Sequence, residues 1–215
     1  MSLRGFQIAL AEMTASLAFC RRVAADPDAS LAGYELTDVE RRRLAAAAGQ
    51  RGMAVNCTLY RYNRITTLAT IFPGALHLLG GEARAVADEF WAEHAPDRNM
   101  RREAERFAAF VRGALERGRL SSPYLREVVD YEMMRYELAM APQPSRVSEQ
   151  DPGDDVTSHP LVRVATFAHD PTILLRHLTA KDPLPYDDVP EGEFHLLLDR
   201  RGSGLVERVL DASVR

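Results

Sequence analysis

The stretch LVRVATFAHDPTILLRHL, residues 161–178, decides the fold class, because a strand pattern follows a long helical one here. Residues 161–167 are rich in β-branched side chains, which predicts a strand. Asp170 and Pro171 come next as a cap and a first-turn proline, and they predict a short helix over residues 172–178. The carboxy-terminal part of the chain is therefore predicted to mix strands with a helix.

A hairpin is predicted after this helix. The apolar runs at residues 194–198 and 205–210 flank the segment DRRGSG at residues 199–204, and a Gly-rich turn between two such runs is typical of a hairpin. The predicted order β-α-β-β is too small to enclose a substrate, and a three-stranded sheet keeps exposed edges. An exposed edge is a common docking surface for an extended peptide.

The chain before this sheet follows a helical period. Apolar residues recur at spacings of three and four from residue 3 to residue 142, with short interruptions at Gly and Pro. Thr37 and Glu40 have the spacing of a capping box, so a helix is predicted over residues 41–50. Gly49 and Gly52 are expected to end it.

The next helix is predicted from Leu59 to Phe72, followed by a break or restart at Pro73. Its apolar residues recur at helical spacing, so one stripe is expected to face a core. The members of this stripe are Leu59, Tyr62, Ile65, Leu68, Ala69 and Phe72.

Between the two patterns lies a polar, proline-rich stretch at residues 143–158, which is typical of a linker. The sequence therefore predicts an α+β fold. An all-helical domain over residues 1–142 would be followed by the linker and by a small β-α-β-β antiparallel sheet domain over residues 159–215.

Composition narrows the class of protein. The chain has 215 residues, of which 46% are hydrophobic, so it can bury a core of its own. Its net charge of -4 argues against a general nucleic-acid binder, which needs a basic surface. No apolar run approaches the roughly 20 residues that cross a bilayer, and no signal-peptide pattern is visible, so we expect a cytoplasmic protein.

Chemistry-bearing residues form no recognisable catalytic or metal motif. Cys20 and Cys57 lie in separate segments and suggest neither a disulfide framework nor a thiolate metal site. No two of the six histidines share a helical spacing on one segment, and the GSG at residues 202–204 lies in the predicted turn rather than before a helix. The histidines are His77, His94, His159, His169, His177 and His195. We therefore expect no catalytic residues, no metal and no cofactor in this chain.

Four segments carry a family resemblance. They are DPDASLAGYELTDVERRRL at residues 26–44, VNCTLYRYNRITTLATIFPGALHLLGG at residues 55–81, FWAEHAP at residues 90–96 and SPYLREVVDYEMMRYELA at residues 122–139. In this order they resemble helical partner proteins of multinuclear non-haem iron-dependent oxidative enzymes in ribosomal peptide natural-product biosynthesis, the group that includes the methanobactin-biosynthesis partner protein. Residues 60–80 also resemble the amino-terminal domain of a broader helical family described as DNA-binding.

This resemblance implies a non-catalytic subunit that forms a heterodimer with the iron enzyme and recruits a ribosomally made precursor peptide. Iron would be held by the enzyme, and the leader of the peptide would add as a strand to the carboxy-terminal sheet. We infer the candidate peptide-binding residues from the predicted hairpin itself. They are Phe194, His195, Leu196, Leu197, Leu198, Leu205, Val206 and Arg208.

Two other functions stay open at this point. A DNA-binding regulator would use a helix pair as a helix-turn-helix, with the arginines at residues 41–43 and 101–102 along phosphates. An enzyme in its own right would need a metal site or a nucleophile with its base, and the sequence shows neither.

Overall fold

A computed structural model describes residues 3–94, 97, 99–142, 159–180 and 189–210 of the chain. The predicted α+β fold is confirmed, with helices in the amino-terminal part and a small antiparallel sheet at the carboxy-terminal end. The chain divides into two units, Met1–Thr66 and Thr67–Arg215. The first unit is helical, whereas the second contains both helices and the sheet.

The described helices are α1 (Leu3–Ala15), α2 (Leu17–Ala25), α3 (Pro27–Ser30), α4 (Asp38–Ala48), α5 (Arg51–Ile71), α6 (Pro73–Leu79), α7 (Ala83–Glu93), α8 (Met100–Glu116), α9 (Leu125–Met140) and α10 (Pro171–Ala180). The described strands are β1 (Val162–His169), β2 (Glu191–Asp199) and β3 (Val206–Leu210). None of these helices is both long and apolar enough to cross a lipid bilayer.

The predicted domain boundaries at residues 142 and 159 stay a prediction. The stretch predicted as a linker, residues 143–158, lies outside the described residues. The sheet belongs to the same unit as α6 to α9, and β1 packs against α9 within that unit.

Short helices surround one apolar core in the first unit. The capping box that begins α4 is confirmed, since Thr37 Oγ1 accepts from the Glu40 N–H at 3.3 Å and Glu40 Oε2 accepts from the Thr37 N–H at 2.8 Å. Both cysteine thiols are free and buried in this core. The buried core residues are Ala9, Met13, Phe19, Cys20, Val23, Leu31, Leu44, Met53 and Cys57.

Helix α5 differs from its prediction at its start. Gly49 ends α4 as predicted, but Gly52 does not contribute to that end, because α5 already begins at Arg51. A glycine inside a helix costs about 1 kcal/mol relative to alanine. The burial of Met53 and Cys57 on the same helix offsets this cost.

The predicted inward stripe of α5 is also wrong in part. Leu68 and Phe72 are fully buried, but Leu59 and Tyr62 are 54% and 66% exposed. The first half of α5 instead buries Met53 and Cys57, which lie on the opposite side of the helix. This helix therefore carries apolar side chains on two sides.

Aromatic rings and a central helix form the core of the second unit. The ring of Phe107 lies 5.4 Å from that of Phe72 and 5.3 Å from that of Phe90. Asn99 caps α8, accepting from the backbone N–H groups of Arg101 and Arg102. Helix α9 packs against α6, α8 and β1, so it lies at the centre of this unit.

The sheet has the order β1-β2-β3, and both pairs of neighbouring strands are antiparallel. Ala165 lies opposite Leu196, which in turn lies opposite Val209. The predicted strands and the predicted helix between them are confirmed. Strand β2 occupies the centre, so β1 and β3 form the two edges.

Candidate functional site

Glu127, in the first turn of α9, holds the end of strand β1. Its Oε2 accepts from the Ala168 N–H at 2.7 Å, and its Oε1 lies 2.7 Å from Nδ1 of His169. Burial raises the pKa of the Glu127 carboxyl, and the bonds from Ala168 and His169 oppose that rise. The His169 ring also packs edge-on against Tyr124, with 4.6 Å between the ring centroids. This end of β1 is thus fixed to α9 by polar and aromatic contacts.

Strand β3 is joined to the middle of α9. The Tyr131 hydroxyl donates to Glu207 Oε1 at 2.8 Å, and Nε of Arg135 lies 3.4 Å from the same oxygen. Burial, followed by the charge of Glu207, raises the pKa of Tyr131 well above its usual range. The phenol therefore stays neutral and keeps its proton available for Glu207.

Arg200, directly after β2, holds the carboxy-terminal end of α9. Its Nη1 donates to the backbone oxygens of Leu138 and Ala141, at 2.5 and 2.7 Å. The last carbonyls of a helix lack partners within the helix, and a cation placed there also interacts favourably with the helix dipole. With Glu127 and Tyr131, this contact anchors the sheet along the whole length of α9.

The free edge of β1 already has partners in this chain. The Leu161 carbonyl accepts from the Arg200 N–H at 3.0 Å on the β2 side, so the next carbonyl, that of Val162, points to the opposite side. There it accepts from Nη1 of Arg163 at 2.8 Å. At the other end of β1, Glu127 takes the Ala168 N–H. Fewer main-chain N–H and C=O groups on this edge of β1 are therefore free to pair with an added strand.

The free edge of β3 is open by comparison. Val206 and Val209 are 54% and 38% exposed, and Glu207 and Arg208 are exposed as well. Within the described part of the chain, no residue forms a hydrogen bond with the main chain of β3 on the side away from β2. This edge can offer its N–H and C=O groups to another chain.

The eight predicted peptide-binding residues occupy different parts of the sheet. Residues 194–198 lie on the central strand β2, whose main chain pairs on both sides, so they can contribute only side chains to a ligand. Leu196 and Leu198 are buried, and Nδ1 of His195 lies 3.5 Å from Oγ1 of Thr166. Leu205 directly precedes β3. Val206 and Arg208 are the two of the eight that lie on an edge strand.

Sequence reasoning missed the residues that hold this site in place. Glu127, Tyr131 and Arg200 act through contacts between residues 41 to 76 positions apart, and no local motif marks them. Among the described residues, no group of three or more His, Cys, Asp or Glu side chains is arranged to hold a metal ion. The arrangement that the structure does present is an exposed strand edge on a fixed support.

No protein-family model matches this chain, and no curated protein sequence matches it either. The geometry of the sheet and the resemblance of the four sequence segments are therefore the two indications of function.

Proposed function

We propose that this chain is a non-catalytic partner subunit that binds a ribosomal precursor peptide and presents it to an iron-dependent oxidative modifying enzyme. The two proteins form a heterodimer, and the leader of the peptide adds as a strand to the sheet. The observation that carries this proposal is the exposed edge of β3, whose free side pairs with none of the described residues, on a sheet anchored to α9. The resemblance of the helical segments supports the class of enzyme.

Strand addition gives the exposed edge of β3 a function. An added peptide gains main-chain hydrogen bonds along the edge, and alternate side chains on either face provide selectivity. Between the two edges, β3 is the better receiver, because Arg163 and Glu127 already occupy polar groups at both ends of β1.

The contacts that hold the sheet against α9 favour binding of the peptide. Ordering a flexible receiver on binding reduces affinity, whereas a receiver held in its bound shape avoids that cost. Tyr131 binds Glu207 on β3, and Arg200 binds the carbonyls at the end of α9. The peptide then loses conformational freedom, while the sheet loses little.

The proposal is tested first by recovering the tagged full-length chain from its native host. Mass spectrometry identifies the proteins and peptides that co-elute, and elemental analysis measures the metal in each component. We expect an iron-containing enzyme at close to a one-to-one ratio, together with a short peptide. Recovery of this chain alone, metal-free and retained on DNA at low salt, would contradict the proposal and favour a DNA-binding regulator.

The second test locates the docking edge with two adjacent proline variants of β3, Arg208→Pro and Val209→Pro. Consecutive N–H groups of a strand point to opposite sides, so one variant removes a donor from the free edge and the other a donor to β2. The co-purified peptide is labelled, and its affinity is measured by fluorescence anisotropy beside the thermal unfolding of each variant.

The two variants are matched controls for each other. We expect the free-edge variant to lose at least about tenfold in peptide affinity while unfolding close to the wild-type temperature. The other variant should unfold at a lower temperature. Unchanged peptide affinity in both variants would exclude β3 as the docking edge.

A further inference from the structure

Alternate side chains of β3 face two different environments. Glu207 points towards α9, where it meets Tyr131 and Arg135. Because successive side chains of a strand point to opposite faces, Val206, Arg208 and Leu210 lie on the face away from α9. A strand added beside β3 would place its own side chains next to these three on that face.

Arg208 is the charged residue of this outer row, and none of the described carboxylates of the sheet is paired with it. Its cross-strand neighbour on β2 is Leu197. Asp199, which lies opposite Val206, is bound by Arg201 through Nε at 3.0 Å and Nη2 at 2.6 Å. Across the described residues, Arg208 forms no ion pair and is exposed.

We propose that β3 selects peptide strands that place an Asp or Glu beside Arg208 and apolar residues beside Val206 and Leu210. The recognised pattern is thus an acidic residue with an apolar residue two positions before it and another two positions after it. This inference depends on the proposed function, since it describes which peptides the β3 edge receives.

Cross-strand neighbours explain the pattern physically. Opposite charges directly across two strands stabilise the pair, like charges destabilise it, and apolar pairs stabilise it through burial. On the α9 side of β3, Glu207 already has Tyr131 and Arg135, so the peptide residue next to it needs no charge. The peptide residue beside Arg208 is therefore the one that is selected by its charge.

The test selects peptides without knowledge of the natural ligand. A phage-displayed library of short random peptides is selected on the immobilised full-length chain, in parallel for the wild type, Arg208→Glu and Arg176→Glu. Arg176 is exposed on α10, outside the sheet, so its variant makes the same change in net charge without altering β3. The best wild-type peptide is then synthesised and its affinity measured by fluorescence anisotropy.

We expect the wild type and Arg176→Glu to enrich the acidic pattern. Arg208→Glu should enrich Lys or Arg at the same position and keep the two apolar residues. Charge reversal in either partner alone should weaken binding about 3- to 30-fold, and reversal in both should restore most of the loss.

The outcomes separate this inference from the proposed function. If all three proteins enrich the same strand pattern, and the free-edge proline variant of β3 loses it, then strand addition stands and selection by Arg208 is refuted. If no peptide is enriched, or if the enriched peptides still bind both proline variants, then strand addition at β3 fails and this inference fails with it.

Discussion

Replacing Glu132 by Gln should change how the stability of the second unit depends on pH. Glu132 lies on α9 and is 6% exposed. Its Oε1 accepts from the Gly74 N–H at 2.6 Å and its Oε2 from the Ala75 N–H at 3.0 Å, in the first turn of α6. The carboxyl thus joins two helices that are distant in sequence.

The magnitude follows from the pKa of this carboxyl. Burial raises the pKa of Glu132 from 4.5 to about 7, against the two backbone donors that favour the charged form. Between pH 4.5 and about pH 7, Glu132 therefore binds a proton more readily in the folded chain than in the unfolded chain. The contribution of Glu132 to stability is therefore fully present below pH 4.5 and falls by about 3 kcal/mol as the pH rises to about 7.

The Gln variant cannot titrate, yet it keeps the shape of the protonated acid. We expect its free energy of unfolding to vary less between about pH 5 and about pH 8 than that of the wild type, by up to about 3 kcal/mol. The measurement is urea denaturation followed by circular dichroism across this range. Amide hydrogen exchange at Gly74 and Ala75 reports the same contact locally.

A control separates burial from the loss of a charge. Glu137→Gln removes one carboxylate from a more exposed position of the same helix, where its neighbour is Arg101. This variant should follow the pH dependence of the wild type. If Glu132→Gln and the wild type change in parallel with pH, then the buried carboxyl does not titrate in this range and the reasoning is refuted.

Five further substitutions, of which three are tests and two are matched controls, probe local features by thermal and urea unfolding. Arg200→Ala should cost about 2 kcal/mol, because the end of α9 loses its charged donor, whereas Arg201→Ala, in the exposed turn, should change stability by less than about 0.5 kcal/mol. Gly5→Ala should destabilise the first unit by about 1 to 3 kcal/mol, since a Cβ there would lie 2.4 Å from the Glu35 carbonyl oxygen, while Gly52→Ala, with open space around it, should stabilise by up to about 1 kcal/mol. Thr37→Ala removes one half of the capping box and should cost about 1 kcal/mol, whereas an unchanged stability would show that Glu40 alone caps α4.

Local signals in the sequence were sufficient for much of the fold. The Thr37 and Glu40 box and the Asn99 cap act within three residues of each other, so the sequence shows both partners at once. The strand patterns and the short helix between them are equally local. The capping box, the strands and the short helix appear in the structure where the sequence predicts them.

Periodicity could not decide which side of α5 is buried. Leu59 and Tyr62 recur at helical spacing as regularly as Met53 and Cys57 do, but the neighbouring helices cover only the second pair. The choice depends on α1 and α2, whose packing is a property of the tertiary structure. A helix that is apolar on two sides therefore needs its neighbours before its inward side can be identified.

The order of the strands limited the site prediction in the same way. The sequence shows the hairpin of β2 and β3, but β1 pairs with β2 between residues that are far apart in the sequence. Because β1 pairs with the side of β2 that faces away from β3, residues 194–198 lie at the centre of the sheet and β3 is an edge strand. The hairpin alone does not show which of its strands stays free.

An exposed edge with two valines would ordinarily promote pairing between copies, and Arg208 counteracts this on β3. Natural sheets protect such edges with short strands and charges. In symmetric antiparallel pairing about the middle of Val206–Leu210, Arg208 of one copy would lie opposite Arg208 of the other. Like charges directly opposite are destabilising, whereas a peptide with a carboxylate there pairs favourably. The residue that we propose as the selector of acidic peptides thus also discourages the sheet from binding its own copy.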